Sequence, residues 1–327
     1  MINPYSGVNW ETALHIVSCS HEHCETQEEF ETLMSGGLDH VAISNYYPSA
    51  PVYPLSEKFT NIPEGSIASP NAEHHNMNVN ALHINGMGST FISGSPPGQS
   101  PNGCGGKRWQ WCIDNILANL QYDDAGGATI NHPTWTNLSV EQCKRMLDYD
   151  DRVLGVEFYN HSSELSNQTG WAIEMWDNIL ATGRRCWGFA VADHSGQSMS
   201  NWLGRNVLLV SEKTEYNCLK AYRDGNFYGK LANTPLAFTN ISFNSETGEL
   251  TVAAHDATRI KIIINKNEQE ISGNSANIVV PLNATYCRIE AHNNENSIYS
   301  NPIMINEKHY KYVEAGNTTT RILLGMV

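Results

Sequence analysis

Two histidines, His21 and His23, directly follow an apolar run at residues 14–17 and flank a single glutamate. Side chains at positions i and i+2 of a β-strand point to the same face of the sheet. Two imidazoles placed in this way can chelate one metal ion, although a solvated or packed pair of histidines fits the same spacing. The positions of the other histidines and carboxylates in the sequence distinguish between these two interpretations.

Three further segments carry metal-type ligands at the ends of apolar runs. Glu73 lies in "NAEHH" and is followed ten residues later by His83, His132 ends "GGATINHP", and Asp193 and His194 end "GFAVADH". A carboxylate can bridge two divalent cations, which a neutral imidazole cannot, so a glutamate among histidines is typical of a two-metal site. Imidazoles with carboxylates suit zinc, manganese or iron better than calcium or magnesium alone. The four segments together predict a shared metal centre.

Charge and composition exclude some classes of function. The chain has 327 residues and a formal net charge of -14, with 17% charged and 40% hydrophobic residues. An acidic chain is a poor candidate for binding the backbone of DNA or RNA. We therefore expect no nucleic-acid partner, and we expect an anionic substrate to be held by a local cation and not by the overall field.

The cysteines and the apolar runs indicate the environment of the protein. Eight cysteines occur without a CxxC pair, which disfavours zinc ribbons and thioredoxin-type sites. No apolar run reaches the roughly 20 residues that a membrane helix needs. The N-terminal sequence "MINPYSGVNW" lacks the features of a signal peptide. We expect a reduced, cytoplasmic protein that contacts no membrane, with a secreted form whose leader has been removed as the alternative.

Apolar strand-like runs alternate with amphipathic helical segments from residue 13 to about 232. This alternation predicts a parallel α/β architecture, and the number of units favours a barrel over an open sheet. In a barrel, active groups lie at the C-terminal ends of the strands. The predicted strands are 13–18, 40–45, 128–133, 154–160 and 185–194. The predicted helices are 26–37, 111–127, 139–150, 170–183 and 214–226.

The pattern of apolar and polar residues changes after residue 232. Residues 233–327 alternate apolar and polar positions between closely spaced turn signals, which predicts a small all-β sandwich. We therefore divide the chain into a metal-binding domain at 1–232 and a C-terminal β domain with a tail at 233–327. The Gly-, Pro- and Ser-rich stretch 93–109 is interpreted as a loop, either a plain insertion or a lid.

The motifs "SHEHCET", "NAEHH…LHINGMG", "GGATINHP", "LGVEFYN" and "WDNILATGRRCWGFAVADH" occur in the order found in the PHP (polymerase and histidinol phosphatase) superfamily. Over residues 10–232 the sequence resembles the metal-dependent phosphoesterases of that superfamily. The resemblance implies a distorted (β/α)7 TIM-like barrel with metals at the C-terminal strand ends. It also implies the following ligands: His21, His23, Glu73 as the bridging residue, His83, His132 and Asp193.

The sequence departs from the superfamily pattern at three ligand positions. Glu28 stands where an acidic ligand is expected, Tyr46 stands where a histidine is expected, and the final Asp-x-His is compressed to Asp193-His194. Glu28 and His194 are kept as candidate ligands. Because these changes affect mainly the third metal of the family, we expect two divalent transition metals and a weakened or lost third site.

The expected activity is hydrolysis of a small phosphate ester by a metal-activated water. His194 is a candidate metal ligand or general acid. Arg184 is a candidate phosphate-binding residue, and the alternative role for it is contact with the carbonyl groups at the C-terminus of the preceding helix. Glu157 is interpreted as a second-layer or core-lining carboxylate. Two other functions stay open: an amidohydrolase-type reaction on a non-phosphorylated substrate, and a non-catalytic binding protein.

Overall fold

The computed structural model describes residues 1–79, 81–194 and 203–314. Within these ranges the chain combines six α-helices with eighteen short strands, so it has a mixed α/β fold. The helices are α1 (Gln27–Ser35), α2 (Trp109–Ala118), α3 (Val140–Leu147), α4 (His161–Asn167), α5 (Ile173–Leu180) and α6 (Glu215–Asp224). The first ten strands are β1 (Leu14–Cys19), β2 (His40–Val41), β3 (Ile67–Ala68), β4 (Glu73–His74), β5 (Ile84–Met87), β6 (Gly127–Ile130), β7 (Val153–Asn160), β8 (Trp187–Val191), β9 (Arg205–Val210) and β10 (Phe227–Lys230). The remaining strands are β11 (Ala237–Phe243), β12 (Glu249–His255), β13 (Arg259–Ile264), β14 (Asn267–Ser272), β15 (Ser275–Val279), β16 (Tyr286–His292), β17 (Ser297–Ser300) and β18 (Ile303–Met304).

Local capping explains where several of the predicted helices begin. The Thr26 side chain accepts from the backbone N–H of Glu29, whose carboxylate accepts from the Thr26 N–H, so α1 starts with a capping box. Ser139 and Gln142 form the same arrangement at the start of α3. These reciprocal bonds satisfy amide groups that the first helical turn leaves free. The predicted helices at 26–37 and 139–150 are therefore confirmed, with shorter ends.

Two sheets carry the first part of the chain. One sheet has the order β4-β5-β6-β7-β8, and its last three strands run parallel. The second sheet includes β10-β9-β1-β2-β3, in which β1, β2 and β3 are parallel while β9 pairs antiparallel with both of its neighbours. The predicted alternation is thus only partly parallel. Among the described residues the strands form separate sheets without a closed ring of hydrogen bonds, so the (β/α)7 barrel detail is not established.

The C-terminal strands join the second sheet directly. Strand β10 pairs antiparallel with β17, and the order continues through β16 and β13 to β14. A separate three-stranded sheet, β11-β12-β15, contributes Phe238, Leu250 and Val252 to a buried cluster that also holds Ile260 and Ile289. The described residues after 232 form the strands β11–β18, as the alternation predicts, and their apolar core is continuous with that of β9 and β10.

No helix in the described part of the chain is both long enough and apolar enough to cross a membrane.

Candidate metal centre

The segments that follow strands β1, β2 and β8 meet at strand β4, because backbone hydrogen bonds connect them. Asp193 N–H donates to the carbonyl of His21 at 3.1 Å, and His23 N–H donates to the carbonyl of Asp193 at 3.3 Å. Ser44 N–H donates to the backbone carbonyl of Glu22 at 2.9 Å, and Glu73 N–H donates to the backbone carbonyl of Ser44 at 3.1 Å. These bonds place the segments after β1, β2 and β8 beside β4.

Glu73 lies at the middle of the resulting cluster. Its Oε1 atom is 2.9 Å from His83 Nδ1, 3.1 Å from His132 Nε2 and 3.4 Å from His21 Nε2. Its Oε2 atom is 3.2 Å from His23 Nε2. The two oxygens of one carboxylate therefore face two different sets of imidazoles.

Asp193 closes the other side of the cluster. Its Oδ1 atom is 3.2 Å from His21 Nε2, 3.1 Å from His23 Nε2 and 3.8 Å from His194 Nε2. Asp193 has a φ of 61°, a left-handed conformation that ends the extended chain. This turn lets the adjacent side chains of Asp193 and His194 reach the same cluster, which a regular strand would prevent.

A second layer of buried polar groups orients these side chains. Glu157 accepts from His21 Nδ1 at 2.7 Å and from the His132 backbone N–H at 2.7 Å. Asn160 donates to both Glu157 and Asp193 at 2.9 and 3.1 Å, and the amide of Asn131 donates to Glu73 at 3.0 Å. A carboxylate on the far nitrogen of a ligand histidine fixes its tautomer and strengthens it as a donor. The sequence left the role of Glu157 open, and the structure places it behind His21.

The electrostatics of the cluster favour positive charge at its centre. Burial lowers the pKa of His23, but its bonds to Asp193 and Glu73 raise it overall to about 9. Burial also lowers the pKa of His21, and the three carboxylates around it raise it well above its usual range. Burial raises the pKa of Glu73, but His21 and His83 hold it well below its usual range. Without a cation, protons on the imidazoles balance the buried carboxylates.

The donor set fits divalent transition metals. The ring nitrogens Nε2 of His21 and His23 approach each other to 3.2 Å, although two neutral acceptor nitrogens repel each other unless a proton or cation lies between them. His132 Nδ1 is buried without a hydrogen-bond partner. Imidazole nitrogens and carboxylate oxygens are ligands of zinc, manganese and iron. The cluster thus has the composition of a metal site, with one unsatisfied ring nitrogen.

A pocket of about 260 Å³ opens onto this cluster. His194, whose side chain is 50% exposed, stands at its mouth with the Tyr46 hydroxyl 3.4 Å from its Nε2. Burial, followed by the charge of Glu73, raises the pKa of Tyr46 to about 12, so its phenol stays protonated near neutral pH. Tyr46 is therefore a hydrogen-bond donor beside the cluster. The pocket is lined by Tyr46, Glu73, His83, His132, Trp135, Ser162, Ser163, Ser166, Asp193 and His194.

Two of the predicted site residues lie elsewhere. Glu28 is exposed in the first turn of α1, because the acidic residues there follow the helix cap and face away from the strand ends. Arg184 precedes the five-residue strand β8 whereas Asp193 follows it, so the two residues lie at opposite ends of the strand. The Arg184 guanidinium binds both oxygens of Asp148 at 2.7 and 2.9 Å and stacks on Tyr310. Neither Glu28 nor Arg184 reaches the cluster.

The sequence reasoning missed several buried residues at the site. Glu22, between the two histidines, points away from them and pairs with Arg205 at 3.0 Å. Burial raises the pKa of Glu22 to about 7, while Arg205 opposes this. Asn131 and Asn160 were also missed. The available signals were polar residues at the ends of apolar strands and an arginine opening the apolar strand β9.

Comparison with known proteins gives a weak match. No family model and no curated protein matches the sequence. Among solved structures, the fold is similar to a two-domain protein from Bacteroides vulgatus ATCC 8482 that contains a predicted PHP-like metal-dependent phosphoesterase, with 95% of each chain covered, 9% identity and a TM-score of 0.42. A likeness of this strength supports no inference about activity, which has to come from the geometry of the cluster.

Proposed function

We propose that the chain is a metal-dependent hydrolase that cleaves a small phosphate ester. The observation that carries the proposal is the position of Glu73. Its Oε1 faces His83 and His132 while its Oε2 faces His23, as expected of a carboxylate shared by two cations.

The grouping of the ligands supports two cations. Four overlapping sets of three side chains have their donor atoms within 4.8 Å of one another among the described residues. Two of these sets have no residue in common. They are Glu73, His83 and His132 on one side and His23, Asp193 and His194 on the other. His21 lies between them, so it is the candidate to complete either set. We propose zinc, manganese or iron as the metal, with the third site of the family weakened.

Divalent cations bound here would activate water near neutral pH and would neutralise charge on a phosphoryl group. The protein's own contribution is to hold the ligands in place. Glu157 fixes the orientation of His21, and Asn131 fixes Glu73. At the mouth of the pocket, the Tyr46 hydroxyl can donate a hydrogen bond to a leaving-group oxygen, and His194 is a proton donor only where it is not a metal ligand.

The lining of the pocket bears on the substrate. No Lys or Arg lines it in the described part of the chain, so a phosphate would depend on the cations for its charge balance. Three serines, Ser162, Ser163 and Ser166, offer neutral hydrogen bonds instead. This lining also suits a second candidate function, an amidohydrolase-type reaction on a non-phosphorylated substrate.

The remaining organisation of the chain is proposed on the same basis. We propose that the two sheets around the metal centre are a distorted (β/α)7 arrangement and that residue 232 divides it from a β-sandwich-like region. A cytoplasmic location and a small soluble substrate also stay proposals. Cell fractionation would test the location, and following the unfolding of the two regions separately would test the division at residue 232.

A comparison of two glutamate variants tests the proposed function. Protein stripped of metal and reloaded with Mn²⁺ or Zn²⁺ is assayed for phosphate release from sugar, nucleotide and amino-alcohol phosphates, and for hydrolysis of amides. Glu73→Gln is expected to lower both the affinity of the Glu73 cluster for metal and the turnover by at least about 100-fold, because it removes the shared ligand. Glu28→Gln is the matched control and should leave both unchanged.

The outcomes separate the alternatives. Release of phosphate that requires metal and Glu73 supports the phosphoesterase. Hydrolysis of amides alone favours the second candidate. Protein that binds two cations around Glu73 yet turns over no ester or amide indicates a non-catalytic binding protein, and three cations at full occupancy around Glu73 would contradict the two-metal centre.

A further inference from the structure

A second group of metal-type ligands lies outside the cluster around Glu73. One ring nitrogen of His74 and the sulfur atoms of Cys104 and Cys112 lie within 4.8 Å of one another. All three side chains are buried. They come from β4, from the Gly- and Pro-rich loop at 93–109, and from the fourth position of α2.

This group lies on the opposite side of β4 from the metal centre. Successive side chains of a strand point to opposite faces, so Glu73 faces the centre and His74 faces α2. His74 stacks on Phe91, with ring centroids 4.8 Å apart. The two candidate sites therefore share a strand and no ligand.

The backbone holds Cys104 firmly in this position. Its N–H donates to the carbonyl of His75 at 2.8 Å, and the N–H of Gly106 donates to Asn76 at 2.8 Å. Gly103 has a φ of 52°, and a Cβ there would lie 2.5 Å from the His75 oxygen. Glycine is therefore required for the loop to approach β4 so closely.

One ring nitrogen of His74 is buried without a hydrogen-bond partner. Nδ1 lies 2.8 Å from Ser93 Oγ, whereas Nε2 is buried without a hydrogen bond. Ser93 Oγ also lies 3.7 Å from Cys104 Sγ, which places a hydroxyl oxygen beside the three ligands. A buried polar atom that is left unpaired is unfavourable unless something binds it.

We propose that His74, Cys104 and Cys112 form a second, thiolate-containing metal site for a d10 cation, Zn²⁺ or Cu⁺. Thiolates with an imidazole select these soft cations over the hard cations that carboxylates prefer. Zinc in such sites takes four ligands, and the Ser93 hydroxyl is positioned to supply an oxygen. Binding releases the two thiol protons to solvent, and the site would fasten the 93–109 loop to β4 and α2. This site does not depend on the proposed hydrolase activity.

Cobalt absorption tests the site, because Co²⁺ bound to thiolate gives a charge-transfer band in the near ultraviolet and Co²⁺ bound to histidine and carboxylate does not. Reduced, metal-free full-length protein is titrated with Co²⁺ and then with Zn²⁺. We expect the band in the unmodified chain, its loss in Cys104→Ser and Cys112→Ser, and its displacement by Zn²⁺. Cys143→Ser, which changes another buried cysteine, is the matched control and should keep the band.

X-ray absorption on the unmodified, metal-loaded chain provides a second measurement that needs no variant to fold. A sulfur shell around zinc supports the site, and an anaerobic Cu⁺ titration with a competing chelator shows whether copper binds there in preference. The proposal is overturned if the reduced chain shows neither a thiolate band nor a sulfur shell with any of the three metals. It is also overturned if the band persists when Cys104 and Cys112 are both serine.

Discussion

Two buried polar clusters in this molecule have opposite properties. One, the Arg288 network, lies between α5 and β16 and comprises Asp177, Tyr286, Arg288, Glu290 and His292. Arg288 binds both oxygens of Asp177 at 2.8 Å and Glu290 at 2.6 Å. Its charges are opposite, adjacent and hydrogen-bonded, so no further ion is needed.

The metal centre around Glu73 is built differently. Like atoms converge there, since the Nε2 atoms of His21 and His23 lie 3.2 Å apart, and His132 Nδ1 is buried without a hydrogen-bond partner. A buried network that satisfies itself stabilises or specifies a fold, whereas one that leaves like atoms facing each other requires a ligand. The comparison shows that burial and charge alone do not identify a metal site, and that a close approach of like ligand atoms is a further indication of one.

The largest effect is expected from breaking the satisfied network. Arg288→Met should lower the free energy of unfolding by about 3–5 kcal/mol, because it leaves Asp177 and Glu290 buried without their cation. Chemical denaturation of the metal-free protein measures this. Arg259→Met, which removes an exposed arginine 3.6 Å from Glu270, is the control and should cost about 0–1 kcal/mol. Metal content should not change in either variant, and a loss of bound metal in Arg288→Met would contradict the separation of the two clusters.

A smaller effect is expected when the support of the metal centre is weakened. Glu157→Gln keeps the shape of the side chain but removes the charge that orients His21, so metal affinity should fall by about 10–100-fold. Competition with a fluorescent chelator measures the affinity. Glu141→Gln, on the exposed face of α3, serves as the control. An unchanged affinity in Glu157→Gln would show that His21 is not a ligand.

The third effect, the smallest near neutral pH, concerns a histidine in a third environment. His40 is buried between Ser18 and Ser69 with no carboxylate, and burial lowers its pKa to about 3. Between about pH 3 and its unfolded pKa near 6.5 the unfolded chain binds a proton that the folded chain does not. Stability should therefore rise with pH across this window, by up to about 1.4 kcal/mol per pH unit from this residue.

Unfolding measured at several pH values tests the contribution of His40. His40→Gln should show a shallower dependence of the unfolding free energy on pH, while His255→Gln, at an exposed position, should keep the slope of the unmodified chain. An equal slope in His40→Gln and the unmodified chain would mean that His40 does not stay neutral in the folded state.

The local elements were the most predictable part of the fold. The capping residues Thr26 and Ser139 mark helices that the structure contains, and the alternation after residue 232 marks strands. The predicted strand at 40–45 is reduced to two residues, His40 and Val41, because the chain then turns toward the metal centre. Strand direction was harder to predict, since the antiparallel partner of β1 is β9, far away in sequence.

The site was predictable where residue type alone carries the information. Histidines and carboxylates after apolar runs, such as His132 and Asp193, are brought together as expected. Glu28 was chosen by its position after the histidine pair, and helix capping places it on the surface. Glu22 and Asn160 could not be identified in advance, because their roles depend on partners contributed by distant parts of the chain.

The pairing of β10 with β17 means that the C-terminal strands cover a sheet edge of the region that holds the candidate metal centre. A fragment that stopped at residue 232 would present β10 as an unpaired edge, with a row of free amides and carbonyls available to another copy. It would also leave Val207, Leu209 and Tyr228 without their apolar cover. We therefore expect the C-terminal region to limit self-association, and a truncation or domain exchange at this junction to require a substitute strand.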